Sequence, residues 1–233
     1  MAAVVLLSGG LDSATNFKCA LDRGGVALAV TFRYGQRSVE REVEAARAMC
    51  RRFDVKHRTI DLSWLAEECK AASLQGGANL PELRESDLDD AEGRAAGSAD
   101  AVWIPNRNGL FLNAGAALAE NIGADCVVVG FNAEEGATFP DNSSAFVDAA
   151  NAALRFSTRG RVRVVCETLD LRKPEVLRLG MEREAPLDLV WPCYRAGERL
   201  CGRCESCLRF LRAVREAGAE DWFRLHHRRY PEG

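Results

Sequence analysis

Two segments of the chain combine residue types and spacings that could carry chemistry. The first follows an apolar run at residues 3–7 and comprises Leu7, Ser8, Gly9, Gly10, Leu11, Asp12 and Ser13. The paired glycines let backbone N–H groups converge on an anion, and the start of the following helix adds partial positive charge. The serine hydroxyls can donate to phosphate oxygens, and the Asp12 carboxylate suits a Mg²⁺ ion that bridges phosphates.

Spacing alone leaves a simpler interpretation of this segment open. The GxxxxGK[ST] pattern of a Walker loop and the GxGxxG dinucleotide pattern are both missing from it. A Gly-Gly pair after a strand also occurs as a plain turn. The residues by themselves therefore predict either a phosphate loop or a turn.

The second segment is a cluster of cysteines near the carboxyl end. Cys193, Cys201, Cys204 and Cys207 offer four thiolates within fifteen residues. A Cys₄ set leaves no position for water, so it favours structural over catalytic Zn²⁺. An iron–sulfur cluster uses the same ligands, and four unmetallated thiols are the third alternative.

The other cysteines predict packing and not disulfide bonds. The chain has nine cysteines, an odd number, and its first residues lack the basic start of an export signal. The five that stand apart in apolar surroundings are expected to be small buried residues. They are Cys19, Cys50, Cys69, Cys126 and Cys166.

The elements that must position these groups alternate between strand and helix patterns. Apolar runs predict strands over residues 3–7, 26–32, 55–60, 125–131 and 162–168. Amphipathic or well-capped stretches predict helices over 12–23, 38–53, 108–121, 143–156 and 205–217, and another that opens at Lys173 with Pro174 in its first turn. The alternation predicts an α/β fold, a Rossmann-like parallel sheet with helices on both faces.

Two interruptions suggest how the chain is organised. Residues 73–102 are acidic and lack a sustained apolar period, which predicts a long surface loop within a main domain at 1–190. Residues 191–233 hold the cysteine cluster, a helix and a basic tail, and are expected to form a small zinc-binding segment.

Composition limits the class of protein. The 233 residues carry a net charge of −3, with 47% hydrophobic and 28% charged residues, which is typical of a globular protein. No apolar run reaches the ~20 residues of a membrane span, and the charge balance argues against a nucleic-acid-coating protein. We therefore expect a cytoplasmic protein.

Ser-Gly-Gly-x-Asp-Ser directly after a first strand resembles the pyrophosphate loop of the N-type ATP pyrophosphatases, the PP-loop superfamily. That resemblance implies an adenine nucleotide alpha hydrolase-like fold. It also implies cleavage of ATP between the α- and β-phosphates, adenylation of a carbonyl or carboxylate oxygen, and retention of pyrophosphate in the loop.

Further segments, in order along nearly the whole chain, resemble the QueC family of 7-cyano-7-deazaguanine synthases. They are Phe32 to Arg37 with Glu40, Ile104 to Asn108 with Phe111 and Leu112, Val129 to Asn132, Phe139 to Asp141, Lys173, Trp191 to Tyr194, and Cys201 to Cys207 with Arg209. The resemblance implies a ligase that adenylates 7-carboxy-7-deazaguanine with ATP and converts it with ammonia to the nitrile. It also implies homodimers.

Site roles follow from this resemblance together with the chemistry. ATP binding is assigned to residues 7–13 with Phe32 and Tyr34, and catalysis to Asp12, Arg107 and Lys173, which with Mg²⁺ would neutralise the triphosphate. A flat deazapurine needs an aromatic face and polar edge contacts. The substrate-binding set is Gln36, Arg107, Asn108, Gly130, Phe131, Asn132, Phe139 and Asp141. Residues 73–102 are the candidate lid over the acyl adenylate.

Simpler structural roles remain open for most of these residues. Arg107 could pair with the acidic loop at the surface, Lys173 could be solvated, and Phe131 and Phe139 could be core residues. Tyr34 to Gln36 could simply turn the chain. Asp141, Asn142 and Ser143 compete as the cap of the following helix. His226 and His227 are expected to be solvated or at an interface rather than catalytic.

The sequence departs from the commoner bacterial pattern at four positions. Asn142 stands in place of Cys, Asn106 in place of a small residue, Ser38 in place of His and Pro192 in place of Ser. These changes suggest an archaeal-type or divergent branch and leave the attacking amine open.

Three other functions compete with the nitrile-forming ligase. One activates the same carboxylate but couples it to another amine, such as a protein terminus. Another is a tRNA-modifying enzyme, since residues 193–229 carry nine Arg against five acidic residues. The third is a non-enzymatic zinc-binding interaction module.

Overall fold

A computed structural model describes residues 2–69, 80–88, 97 and 100–231. Its centre is a five-stranded sheet in the order β3-β2-β1-β4-β5, with every neighbouring pair parallel. The strands are β1 (Ala3–Leu6), β2 (Val26–Arg33), β3 (His57–Asp61), β4 (Cys126–Val128) and β5 (Arg163–Val165). The predicted Rossmann-like parallel sheet is confirmed.

The helices cover both faces of the sheet. They are α1 (Leu11–Arg23), α2 (Val39–Arg52), α3 (Trp64–Glu68), α4 (Arg107–Ile122), α5 (Ala133–Gly136), α6 (Ser144–Ser157), α7 (Lys173–Glu182), α8 (Glu205–Glu216) and α9 (Glu220–His226). Side chains of β1 alternate between two cores, because successive strand residues point to opposite faces. Val5 packs with residues of α1, α2, α7 and α8, whereas Val4 packs with residues of α4 and α6.

The position of β1 determines where a ligand can bind. It lies between β2 and β4, so the strand order reverses at its carboxyl end. In open α/β sheets the crevice at such a switch point is the usual ligand site. The segment Leu7 to Ser13 leaves β1 at this crevice.

The carboxyl-terminal segment shares the core on the α1 side of the sheet. Trp191, Cys207, Phe210 and Phe223 are buried in the same cluster as Val5 and the apolar face of α1. The division of the chain at residue 190 stays a prediction.

The predicted acidic loop lies partly outside the described residues, as do Asp89, Asp90 and Glu92. In the described parts, Leu80 and Leu88 are buried, and Glu82 and Glu85 pair with Arg195 and Arg215 of the carboxyl-terminal segment. These parts pack against the cysteine-bearing segment. Their role as a lid stays a prediction.

Three details differ from the sequence expectations. Of the five separate cysteines only Cys50 is fully buried, and the other four are half-buried. Burial raises the pKa of the Cys50 thiol to about 12. Ser143 caps α6 by accepting from the Phe146 N–H at 3.2 Å, so Asp141 and Asn142 are not the cap.

His227 is the third difference, because it is buried and not solvated. Its Nε2–H donates to the Val190 carbonyl at 2.8 Å, next to Trp191.

Among the described residues, no helix combines the length and the apolar character that a membrane span requires.

Candidate active site

The loop from Leu7 to Ser13 is a tight, internally bonded turn. Gly9 has a φ of +83°, and a Cβ there would lie 2.9 Å from the Glu42 carbonyl oxygen, so both the conformation and the space require glycine. The Ser13 hydroxyl donates to the Gly10 carbonyl at 3.0 Å and lies 3.1 Å from the Ser8 hydroxyl. The loop thereby brings two hydroxyls and the amino end of α1 to one point, as an anion site needs.

Gly130, which follows β4, packs closely against the backbone of the loop at Asp12 and Ser13. A Cβ at this position would lie 2.5 Å from the Ser13 backbone nitrogen and 2.7 Å from the Asp12 carbonyl carbon. Both atoms belong to the backbone and cannot rotate away. Gly130 was predicted to bind the substrate, and its close packing is a second reason why this position requires glycine.

We expect Gly130→Ala to displace the start of α1 and to lower kcat/KM for ATP by about 100-fold, since a displacement of ~1 Å at a reactive centre has effects of that size. Steady-state kinetics with ATP as the varied substrate measures this change. Ala149→Ser, which adds one atom at an exposed position of α6 outside the cavity lining, is the matched control. Unchanged ATP kinetics in Gly130→Ala would contradict the supporting role.

A cluster of three charges lies beside the loop, with Asp12 and Lys173 largely buried and Glu135 partly exposed. The Lys173 ammonium donates to Asp12 at 2.7 Å and to Glu135 at 2.6 Å, and Asn132 donates to the other Asp12 oxygen at 3.1 Å. Burial favours neutral Lys173, but the two carboxylates outweigh it and raise the pKa of Lys173. Burial raises the pKa of Asp12 although Lys173 opposes it. Lys173 is therefore a fixed cation at the loop, and not a solvated residue.

Two adjacent glutamates hold Lys173, and the sequence analysis missed both. Glu135 binds the ammonium, while Glu134 accepts the Lys173 backbone N–H at 3.1 Å. Glu134 also accepts from Arg212 at 3.1 Å and Arg209 at 3.4 Å, both on α8. The Glu-Glu pair after Asn132, whose side chain caps α5, was the available signal.

One cavity of about 260 Å³ opens beside these groups at the carboxyl ends of the strands. It is lined by these predicted site residues: Leu7, Ser8, Gly10, Leu11, Asp12, Ser13, Phe32, Tyr34, Gln36, Arg107, Asn108, Gly130, Phe131, Phe139, Asp141 and Lys173. Gly9 and Asn132 do not line the cavity. Gly9 forms the turn of the loop, and the Asn132 amide donates to the Asp12 carboxylate. The structure thus brings nearly the whole predicted site together.

Arg107 faces the cavity and not the acidic loop. Its guanidinium carbon lies 5.6 Å from the centroid of the Tyr34 ring, a cation–π distance. Burial raises the pKa of Tyr34 to about 12. Burial also raises the pKa of Asp141, although the nearby Arg107 charge opposes the shift. The cavity lining therefore includes the Arg107 cation as well as Lys173.

Some predicted binding residues use their polar atoms within the protein. The Gln36 amide accepts from the Tyr34 N–H and donates to the Phe32 carbonyl, both at 2.9 Å. The Asn108 amide donates to the Asp141 carbonyl at 3.2 Å. Phe131 is 7% exposed and packs in the α4 and α6 core. These residues shape the cavity wall, and their contact with a substrate stays a prediction.

Glu42, on α2, is another cavity residue that the sequence analysis missed. Its carboxylate accepts from the Ser38 hydroxyl at 2.6 Å and from the Gln36 amide at 2.9 Å. Burial raises its pKa, against the hydrogen bonds from Ser38 and Gln36. Ser38, one of the departures noted above, therefore holds an acidic group of the cavity wall.

The four cysteines form a compact ligand set. Their sulfur atoms all lie within 4.8 Å of one another, and the Cys201 and Cys207 sulfurs are 3.8 Å apart. Tetrahedral coordination with Zn–S distances of about 2.3 Å separates the sulfurs by roughly 3.8 Å. The donor set therefore fits one tetrahedral metal ion.

The chain leading into this cluster is bonded to the phosphate loop. The Trp191 N–H donates to the Gly9 carbonyl at 2.8 Å, two residues before Cys193. Arg41 and Arg229 lie over the Trp191 ring at 5.6 and 5.4 Å. The cysteine-bearing segment thus contacts the phosphate loop through the backbone.

The buried His227, which donates to the Val190 carbonyl next to Trp191, should make the stability of the folded protein depend on pH. Burial lowers the pKa of His227, and its Nδ1 has no hydrogen-bond partner among the described residues. The unfolded chain therefore binds a proton more readily, so stability should fall as the pH drops below about 6.5. In thermal unfolding, His227→Gln should reduce this acid sensitivity. His226→Gln, at an exposed position, should keep it, and equal acid sensitivity of all three proteins would contradict the assignment.

Comparison with known proteins gives concordant matches. The family model described as "Queuosine biosynthesis protein QueC" matches residues 2–218. The chain is 49% identical over 220 residues to a 7-cyano-7-deazaguanine synthase of Pelotomaculum thermopropionicum, with 94% of this chain and 99% of that protein covered. It is 42% identical over 223 residues to the protein of that name from Methanosarcina barkeri, with 95% and 96% covered.

Proposed function

The chain belongs to the QueC family. From this premise we propose that it is an ATP-dependent carbon–nitrogen ligase. It converts 7-carboxy-7-deazaguanine and ammonia to 7-cyano-7-deazaguanine, a precursor for queuosine and archaeosine. The observation that carries the proposal is that the phosphate loop, Lys173 and Arg107 all line one cavity. The loop with Lys173 suits a polyphosphate, and Arg107 suits a carboxylate.

The proposed reaction uses the same adenylation chemistry twice. The substrate carboxylate attacks the α-phosphorus of ATP, and pyrophosphate leaves. Ammonia attacks the acyl carbon, AMP leaves, and loss of one proton gives the amide. The amide oxygen attacks the α-phosphorus of a second ATP, and a second pyrophosphate leaves. Loss of the second AMP, with two protons from nitrogen, then leaves the nitrile.

The loop and Lys173 serve the phosphates. The backbone N–H groups and the Ser8 and Ser13 hydroxyls would bind the departing pyrophosphate, and Lys173 would stabilise the negative charge that develops on it. Mg²⁺ would supply further neutralisation, with Asp12 and Glu135 as the carboxylates that line the cavity nearest the loop. Lys173 keeps these two carboxylates in place through its hydrogen bonds.

Arg107 would orient the substrate carboxylate, because a guanidinium binds a carboxylate through paired hydrogen bonds. The Tyr34 ring beneath it fixes the guanidinium plane. Phe32 and Tyr34 would contact the nucleotide, and Asp141 would accept from the N–H donors of the base. The acidic segment would exclude water from the acyl adenylate.

The Cys₄ set would hold a structural Zn²⁺ ion, which has no open coordination position for chemistry. We further propose that the enzyme acts as a homodimer in the cytoplasm.

The arginines of the carboxyl-terminal segment give little support to RNA binding, because many are paired internally. Arg209 and Arg212 bind Glu134, Arg215 binds Glu85, and Arg229 binds Glu44.

Pyrophosphate release tests substrate choice. With ATP present, we expect release with 7-carboxy-7-deazaguanine and only background release with guanine or benzoate. Mass spectrometry of the same mixtures tests the acceptor, since a mass increase on an added protein would favour a different amine. Release that does not depend on the deazaguanine acid would contradict the proposed substrate.

A further inference from the structure

Trp103 presents an aromatic ring at the cavity that no role above uses. It lines the cavity and is 36% exposed, whereas its neighbours Val102 and Ile104 are 4% and 2% exposed. The two buried neighbours anchor the backbone on either side. The Trp103 ring is therefore held at the cavity and not free to move with a loose loop.

Phe139 lies parallel to Trp103. The two ring planes differ by 4°, and their centroids are 6.4 Å apart. Phe32 and Phe111, by contrast, stack in close contact with centroids 4.1 Å apart. The wider spacing and the 36% exposure of Trp103 leave aromatic surface accessible to a flat ligand.

Phe139 is itself held in place. Its backbone N–H donates to the Glu135 carbonyl at 2.7 Å, and its ring packs on buried Leu80 and Val102. The parallel arrangement is therefore built from two anchored segments that meet at the cavity.

The charged groups around the pair match a heteroaromatic acid. Asp141 lies two residues after Phe139, and Arg107 lies four residues after Trp103. All four side chains line the same cavity. Such a site offers faces for a bicyclic ring, an acceptor for N–H donors on its edge, and a cation for its carboxylate.

We propose that Trp103 stacks on the bicyclic base together with Phe139 and determines specificity for a flat heteroaromatic carboxylate. This inference rests on the proposed function and deepens it, because it assigns the base subsite. Trp103 replaces Phe131 as the partner of Phe139, since Phe131 is committed to the core.

Kinetics of Trp103→Ala and Trp103→Phe test the inference. Stacking of a base on an aromatic side chain has effects that correspond to roughly 10- to 100-fold in affinity. We expect Trp103→Ala to raise KM for 7-carboxy-7-deazaguanine by that factor with KM for ATP nearly unchanged, and Trp103→Phe to restore most of the loss. An unchanged KM for the acid in Trp103→Ala would overturn the inference.

Tryptophan fluorescence supplies a readout that does not depend on turnover. Titration with 7-carboxy-7-deazaguanine should quench the wild-type protein and Trp64→Phe, whose indole is exposed outside the cavity, to the same extent. Trp103→Phe should be quenched much less, since Trp191 is then the remaining tryptophan among the cavity-lining residues. Equal quenching in Trp103→Phe would contradict stacking. A wild-type protein that is quenched but makes no nitrile would contradict the proposed function alone. Nitrile formation without any Trp103 response would contradict this inference alone.

Discussion

Lys173→Met is expected to lower kcat by about 100- to 1000-fold, the largest single effect that the site predicts. The substitution removes the cation that holds Asp12 and Glu135 and that faces the departing pyrophosphate. It also leaves Asp12 and the partly exposed Glu135 close together without the ammonium between them, which should lower the free energy of unfolding by less than the ~3–5 kcal/mol of a fully buried pair. Single-turnover formation of AMP measures the catalytic effect.

Lys56→Met is the matched control, because Lys56 is exposed on the surface. Thermal unfolding of both variants separates a catalytic loss from a failure to fold. The double variant with Glu135→Gln removes one of the stranded charges, so it should recover stability without recovering kcat. A stable Lys173→Met protein with the wild-type rate would contradict the role of this residue.

Cys207→Ser is expected to release the bound metal, lower the melting temperature by roughly 10 °C or more, and reduce ATP-dependent turnover by about 100-fold. Loss of one thiolate opens the ligand set. The freed segment can then no longer hold Trp191 against the Gly9 carbonyl. Metal analysis, calorimetry and ATP kinetics on the same preparation measure the three effects.

Cys69→Ser is the control for this substitution, because Cys69 is half-buried at the end of α3 and stands outside the four-cysteine set. It should keep both the metal and the rate. Removal of the metal from the wild-type protein by a chelator should reproduce the Cys207→Ser defect. Full turnover in a metal-free protein would contradict the link between the cysteine cluster and the phosphate loop.

The sequence allowed the sheet and the ligand-binding loops to be predicted because their signals are local. Apolar runs separated by amphipathic stretches indicated each strand and the longer helices, with ends that differ by a few residues, whereas the short helices α3, α5 and α9 were not predicted. The glycines before α1 and the spacing from Cys193 to Cys207 carry their chemistry in adjacent positions. Lys173 could be assigned only through the family resemblance, since its partner Asp12 is 161 residues away.

The remaining site residues depend on contacts that no local pattern encodes. Glu134 and Glu135 look like ordinary surface acids of a short helix until α7 brings Lys173 to them. Trp103 follows an acidic stretch that predicted only a loop, and its role depends on the neighbouring Phe139 ring. Asp141 was one of three candidate caps for α6, but the Ser143 hydroxyl is the group that accepts from the free Phe146 N–H.

Product analysis with ATP, ¹⁵N-labelled ammonium and 7-carboxy-7-deazaguanine is the most direct test of the proposed activity. The account predicts 7-cyano-7-deazaguanine with one labelled nitrogen in its nitrile, together with two AMP and two pyrophosphate for each nitrile formed. Pyrophosphate release without any labelled nitrile would contradict it.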